Sequence, residues 1–97
     1  MYVVAVTFEI SKEHVDAFRQ AVLAQAKNSL ELEEACRQFD VCFCPDNETL
    51  CFLYERYDDR GAFDQHLASD HFANFGKTIG GWVVNKEVKY WTQADNE

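Results

Sequence analysis

Residues 2–10 read Tyr2-Val3-Val4-Ala5-Val6-Thr7-Phe8-Glu9-Ile10. Side chains alternate across a strand, so Tyr2, Val4, Val6, Phe8 and Ile10 share one face and Val3, Ala5, Thr7 and Glu9 the other. Both faces are largely apolar, which predicts a central strand covered on both sides.

Outward from that strand, Ser11 stands where a helix N-cap is expected, with Glu13 as first-turn acid. Val15, Phe18, Val22, Ala26 and Leu30 recur at spacings of three and four. That predicts one buried stripe on a helix ending between Ser29 and Ala35. Phe39, Val41 and Phe43 alternate with Asp40, Cys42 and Cys44 as a second strand. Pro45-Asp46-Asn47-Glu48 is a turn signal, and Leu50 to Tyr57 completes a hairpin. Asp58 or Asp59 caps a second helix with Ala62, Phe63, His66 and Leu67 inward. Phe72, Phe75 and Ile79 continue its apolar surface after a kink near Ser69-Asp70, and Gly80-Gly81 stops it. Val83 to Trp91 is the last strand, and the division is one domain over 1–92 with a solvated tail over 93–97.

The order β-α-β-β-α-β is the split, ferredoxin-like α+β plan. Its two helices cover one face of a four-stranded sheet. The first and third strands are apolar on both, so the open face is a large apolar patch, and a two-fold homodimer is the expected way to cover it.

Composition agrees with one domain. The chain has 97 residues, 47% of them apolar, which is enough for a single core. Its formal charge of −8 argues against nucleic-acid and anionic-membrane surfaces, which need Lys and Arg. No apolar run approaches the roughly 20 residues of a membrane span, and the first residues lack a signal peptide's basic start and cleavage site. A cytoplasmic location is the expectation. Cys36, Cys42, Cys44 and Cys51 read as reduced packing cysteines, without a second ligand pair at zinc spacing.

Three segments resemble a known family when taken together. They are Asn28-Ser29-Leu30 with Glu33-Glu34-Ala35-Cys36-Arg37-Gln38-Phe39-Asp40-Val41, then Phe52-Leu53-Tyr54-Glu55-Arg56-Tyr57-Asp58-Asp59, then Ala62-Phe63-Asp64-Gln65-His66-Leu67-Ala68-Ser69-Asp70-His71-Phe72. The chain resembles the antibiotic biosynthesis monooxygenase (ABM) domain family, especially its small quinol-monooxygenase-like members. The resemblance implies a dimeric α+β barrel and a cofactor-free monooxygenase acting on a small electron-rich aromatic, a quinol or an anthrone, with dioxygen. Related members isomerise a phosphorylated autoinducer sugar fragment, and a non-enzymatic dimeric metabolite-binding module is a third reading. The haem-degrading branch fits poorly, because Thr7, His66 and Gly76 stand where it carries Asn, Trp and His. Glu33-Glu34-Ala35-Cys36 replaces the Glu-Pro-Gly-Cys of many relatives, and Asp70 replaces a Pro.

An oxygenation without metal or flavin needs a base, orienting polar groups and an apolar pocket. His66, on the inner stripe of the second helix, is the first candidate base, since imidazole titrates near neutrality. His71 lies five residues on, about 140° round a regular helix, and joins His66 only if the chain turns at Asp70. Tyr54 and Asn28 are candidate substrate-orienting groups, and Phe43, Phe72 and Trp82 candidate aromatic lining. No metal site is expected, because His-x4-His is a weak ligand spacing.

Overall fold

The computed structural model describes residues 1–94. Strand β1 (Tyr2–Ile10) passes through a 3-10 turn (Lys12–His14) into α1 (Val15–Leu32). The hairpin β2 (Cys36–Cys44) and β3 (Asn47–Tyr57) follows, then α2 (Arg60–Leu67), α3 (Asp70–Ile79) and β4 (Val83–Thr92). The strands form one antiparallel sheet in the order β2-β3-β1-β4. This is the ferredoxin-like α+β plan, with the second helix divided in two.

Register decides which side chains face the helices. Val4 stands opposite Glu55 and Tyr90, and Val6 opposite Leu53 and Val88. These residues share the helix-covered face, where Val4, Val6, Phe8 and Leu53 pack against Phe18 and Val22 of α1, Phe63 of α2 and Ile79 of α3. The stripe of α1 runs Val15, Phe18, Val22, Ala26 and then Ser29, which is fully buried. Leu30, expected inward, is 45% exposed. It lies one residue past the inward position. Ser29 fills that position because its hydroxyl donates to the Gln25 carbonyl at 2.8 Å, leaving no unpaired polar group.

Leu67, expected inward on the second helix, is 43% exposed, and three further local details differ from expectation. Ser11 caps no backbone N–H. Its hydroxyl pairs with His14 Nδ1 at 2.6 Å, and the α-helix starts only at Val15. The kink near Ser69 is a complete break that leaves two helices, each with its own N-cap. Asp59 Oδ1 accepts from the Ala62 N–H at 2.8 Å to start α2, and Ser69 Oγ accepts from the Phe72 N–H at 3.2 Å to start α3. Finally, the Gln93 N–H donates to the Met1 carbonyl at 2.8 Å, so pairing continues into the expected tail. The remainder of that tail, 95–97, lies outside the described residues.

The other face of the sheet has no helix over it. Val3, Ala5, Thr7, Phe52, Tyr54 and Trp91 line a trough of about 390 Å³ there, with Phe52 and Trp91 exposed. Asp40 is exposed on this side and accepts from Gln38 Nε2, while Arg37 pairs with Asp58 at 2.7 Å. Among the described residues, no helix is long and apolar enough to cross a membrane.

Candidate active site

Capping sets the orientation of both histidines. With α2 started at Asp59, its buried positions are Ala62, Phe63 and His66, and His66 is only 2% exposed. A continuous helix carries His71 away from His66. The break after Leu67 re-aims the chain, and the two imidazoles meet edge to face with centroids 5.7 Å apart. The Ser69 hydroxyl fixes the break by donating to the His66 carbonyl at 2.7 Å.

Glu33 completes the group. It is the first extended residue after α1, held by its N–H to the Ser29 carbonyl at 3.2 Å. Its Oε2 lies 2.8 Å from His66 Nδ1 and 2.6 Å from His71 Nε2. The His66 contact is an aligned hydrogen bond. The His71 contact is close but off the ring N–H line, so His71 Nε2 has no true hydrogen-bond partner. His71 Nδ1 sits 3.3 Å from Gln25 Oε1. Burial pushes the pKa of His66 below its ordinary value, opposed by its bond to Glu33. A neutral His66 that donates from Nδ1 keeps a lone pair on Nε2.

His66 borders a cavity of about 60 Å³ between the sheet and the helices. Its apolar wall includes Phe8, Phe39, Leu53, Phe72 and Phe75. Its other polar groups are Gln25, Glu55 and Lys86. The buried Nε2 of Gln25 has no partner. Glu55 is 3% exposed, accepts the Tyr57 hydroxyl at 2.6 Å, and is pushed by burial up to about 7. The Tyr57 hydroxyl is driven upward by burial and by the neighbouring carboxyl. The site therefore offers a lone pair at His66, a donor at Gln25 and a carboxyl that changes charge near neutrality.

Sequence-predicted residues divide into those the structure gathers and those it separates. His66 and Phe72 are together at the cavity, with ring centroids 5.0 Å apart, and His71 lies just behind His66. Asn28 lines a groove of about 240 Å³ between α1 and α3, beside His71. Gln25 and Phe75 border both this groove and the inner cavity, forming the wall between them. Tyr54 is on the opposite face of the sheet, in the open trough, because it shares strand parity with Phe52 rather than Leu53. Phe43 lies under the Arg19 guanidinium at 3.9 Å, and Trp82 stacks on His14 with centroids 5.4 Å apart. Neither borders the cavity. Reading the sequence missed Glu33, Gln25 and Glu55. For Gln25 a signal existed, since it follows Val22 by three residues on the buried stripe.

Comparisons with known proteins agree with this architecture. A protein named "Putative antibiotic biosynthesis monooxygenase" from Nitrosomonas europaea superposes with a TM-score of 0.91 at 23% identity, covering 96% of this chain and 98% of its own. Rv0793 from Mycobacterium tuberculosis gives 0.88 at 25% identity, covering 98% and 96%. A conserved protein from Methanosarcina mazei Go1 gives 0.88 at 22%, covering 96% and 92%. No curated protein matches the chain. The profile described as "Antibiotic biosynthesis monooxygenase" matches residues 1–78, most of the domain, and the chain therefore belongs to the ABM family.

Proposed function

We propose that the protein is a cofactor-free monooxygenase of a small electron-rich aromatic, a quinol or an anthrone, with His66 as the base. The observation that carries this reading is the phenyl-lined cavity bordered by a neutral, carboxylate-held histidine. Glu33 fixes the tautomer in which Nδ1 carries the proton, so Nε2 is left to accept one from a phenol or an activated CH₂. The carbanion or phenolate passes one electron to dioxygen, and recombination of the radicals gives a peroxide. For an activated CH₂, loss of water from that peroxide leaves a carbonyl, so one oxygen atom enters the product and the other leaves as water. Gln25 Nε2 and protonated Glu55 are the donors available to a developing oxyanion.

The cavity volume bears on how substrate enters. About 60 Å³ holds one or two waters, against roughly 300 Å³ or more for ordinary ligand pockets. An aromatic ring is admitted when Phe75 and Gln25 yield, which joins the cavity to the groove bordered by Asn28 and His71. A panel of quinols, hydroxyanthrones and phosphorylated ketoses tests the reading. Oxygen consumed in step with a mono-oxygenated aromatic product is the expected result. Turnover of a phosphorylated ketose without oxygen uptake overturns it.

The reading includes a homodimer formed through the open sheet face. Val3, Phe52 and Trp91 lie on adjoining strands of that face, and burying such a patch favours self-association. The chain is expected to sediment at twice its 11.2 kDa mass. Phe52→Lys, which places like charges against each other across a two-fold, is expected to weaken association about 100-fold. A wild-type chain that stays at 11.2 kDa at micromolar concentration refutes the dimer.

A further inference from the structure

Three donor atoms converge where α1, α2 and α3 meet. They are a Glu33 carboxylate oxygen and one ring nitrogen each of His66 and His71, all within 4.8 Å of one another, with His66 Nδ1 and His71 Nε2 the nitrogens nearest the carboxylate. We propose that these residues form a binding site for a first-row divalent transition ion such as Zn(II), Fe(II) or Mn(II). The ion is held by two imidazoles and one carboxylate, with remaining positions open to water.

The donor set is the first argument. Neutral imidazoles with a carboxylate suit borderline divalent ions and leave coordination positions free. Spacing is the second. Glu33 Oε2 sits 2.8 Å and 2.6 Å from the two nitrogens. Donors about a tetrahedral zinc stand roughly 3.3 Å apart, so the two contacts to Glu33 need open by only about 0.5 and 0.7 Å.

The third argument is an unsatisfied atom. His71 Nε2 is buried without an aligned hydrogen bond, and both of its ring nitrogens face oxygens, Glu33 Oε2 and Gln25 Oε1. If Nδ1 donates to Gln25, Nε2 is left without a proton, 2.6 Å from a carboxylate oxygen that lies off its axis. Two electron-rich atoms that close favour a cation shared by both. Gln25 is then the outer partner that fixes the ligand tautomer, as metal-binding imidazoles require.

Access is the fourth argument. Glu33 borders a surface groove of about 350 Å³ that also carries Glu34 and Asp58. Its guanidinium, Arg37, is occupied by Asp58 through bonds of 2.7 Å and 3.0 Å. The chain's charge of −8 draws cations toward it.

Metal on His66 Nδ1 moves the ring proton to Nε2, so ion and base use opposite tautomers of one imidazole. An occupied site therefore excludes proton abstraction by His66. Binding itself does not depend on the proposed oxygenation.

Titrating the metal-free chain with Zn(II) by calorimetry, and with Co(II) by visible absorption, tests the site. One ion per chain is expected, with a Kd of about 1 μM or tighter. His71→Gln is expected to weaken binding at least 100-fold and Glu33→Gln at least tenfold. Cys42→Ser with Cys44→Ser is expected to leave it intact. Independently of any variant, Co(II) is expected to broaden or shift the imidazole NMR signals of His66 and His71 and to spare His14. Absence of binding, wild-type affinity in His71→Gln, or loss in the cysteine variant overturns the proposal.

Discussion

In His66→Gln, turnover of an oxygenated substrate is expected to fall by about 10²–10⁴ in kcat, with KM changed by less than about threefold. Gln retains a polar group for Glu33 and most of the side-chain volume among Phe39, Phe63 and Phe72. It cannot take up a proton. The loss therefore isolates base function from packing, which an alanine at a 2% exposed position does not. Glu33→Gln is expected to act through His66. A neutral amide no longer dictates which imidazole nitrogen is protonated, so kcat falls while folding is retained. Full wild-type kcat in His66→Gln, with oxygen uptake intact, removes the base from the proposed mechanism. The same measurement on Tyr54→Phe is expected to show no catalytic loss, because that hydroxyl lies across the sheet from the cavity.

Tyr54 illustrates what the sequence carried and what it left out. Alternation gave the strands and the partition of β3 into Leu50-Phe52-Tyr54 and Cys51-Leu53-Glu55-Tyr57. It did not say which set the helices cover, because both are apolar enough to be buried. The covered set proves to be the one containing Glu55, against the usual expectation that a charged strand residue faces water. Although Leu30 and Leu67 prove exposed, the order of elements along the chain and most of the helix stripes were legible because they rest on periodic burial. The site was less so, since it depends on where helices stop. Ser69 as a cap turns His71 toward Glu33, and the extended backbone at Glu33, just past Leu32, brings its carboxylate to both histidines. Both are single-residue events that a periodic reading of 58–79 smooths over. The aromatic candidates failed to gather for a related reason. Trp82 and Phe43 are as apolar as Phe72, but each finds a local partner, His14 or Arg19, outside the cavity.

Glu55 gives the second large effect, on stability rather than rate. Burial raises its folded-state pKa from 4.5 to about 7, against the Tyr57 hydrogen bond and the Lys86 charge, which both pull it down. Between those two values the folded chain binds more protons than the unfolded one. Stability therefore falls as pH rises through this window, because ∂ΔG/∂pH takes the sign of the unfolded minus folded proton count. The stabilisation of the protonated form is fully present below about pH 4.5 and is lost as pH climbs through about 7. At 1.36 kcal/mol per unit the difference amounts to about 3 kcal/mol of unfolding free energy. Glu55→Gln replaces the protonated acid with a neutral amide of the same shape that still accepts from Tyr57. It is expected to remove this slope and to exceed the wild type in stability above pH 8 by a similar amount. Denaturant melts of both proteins at pH 5, 6, 7 and 8 measure it, with the slope at each pH divided between the two. Parallel curves for wild type and variant over that range mean that Glu55 is ionised in the folded state throughout. In that case the cavity holds a permanent negative charge beside His66, and the donor assigned to Glu55 in the oxygenation disappears with it.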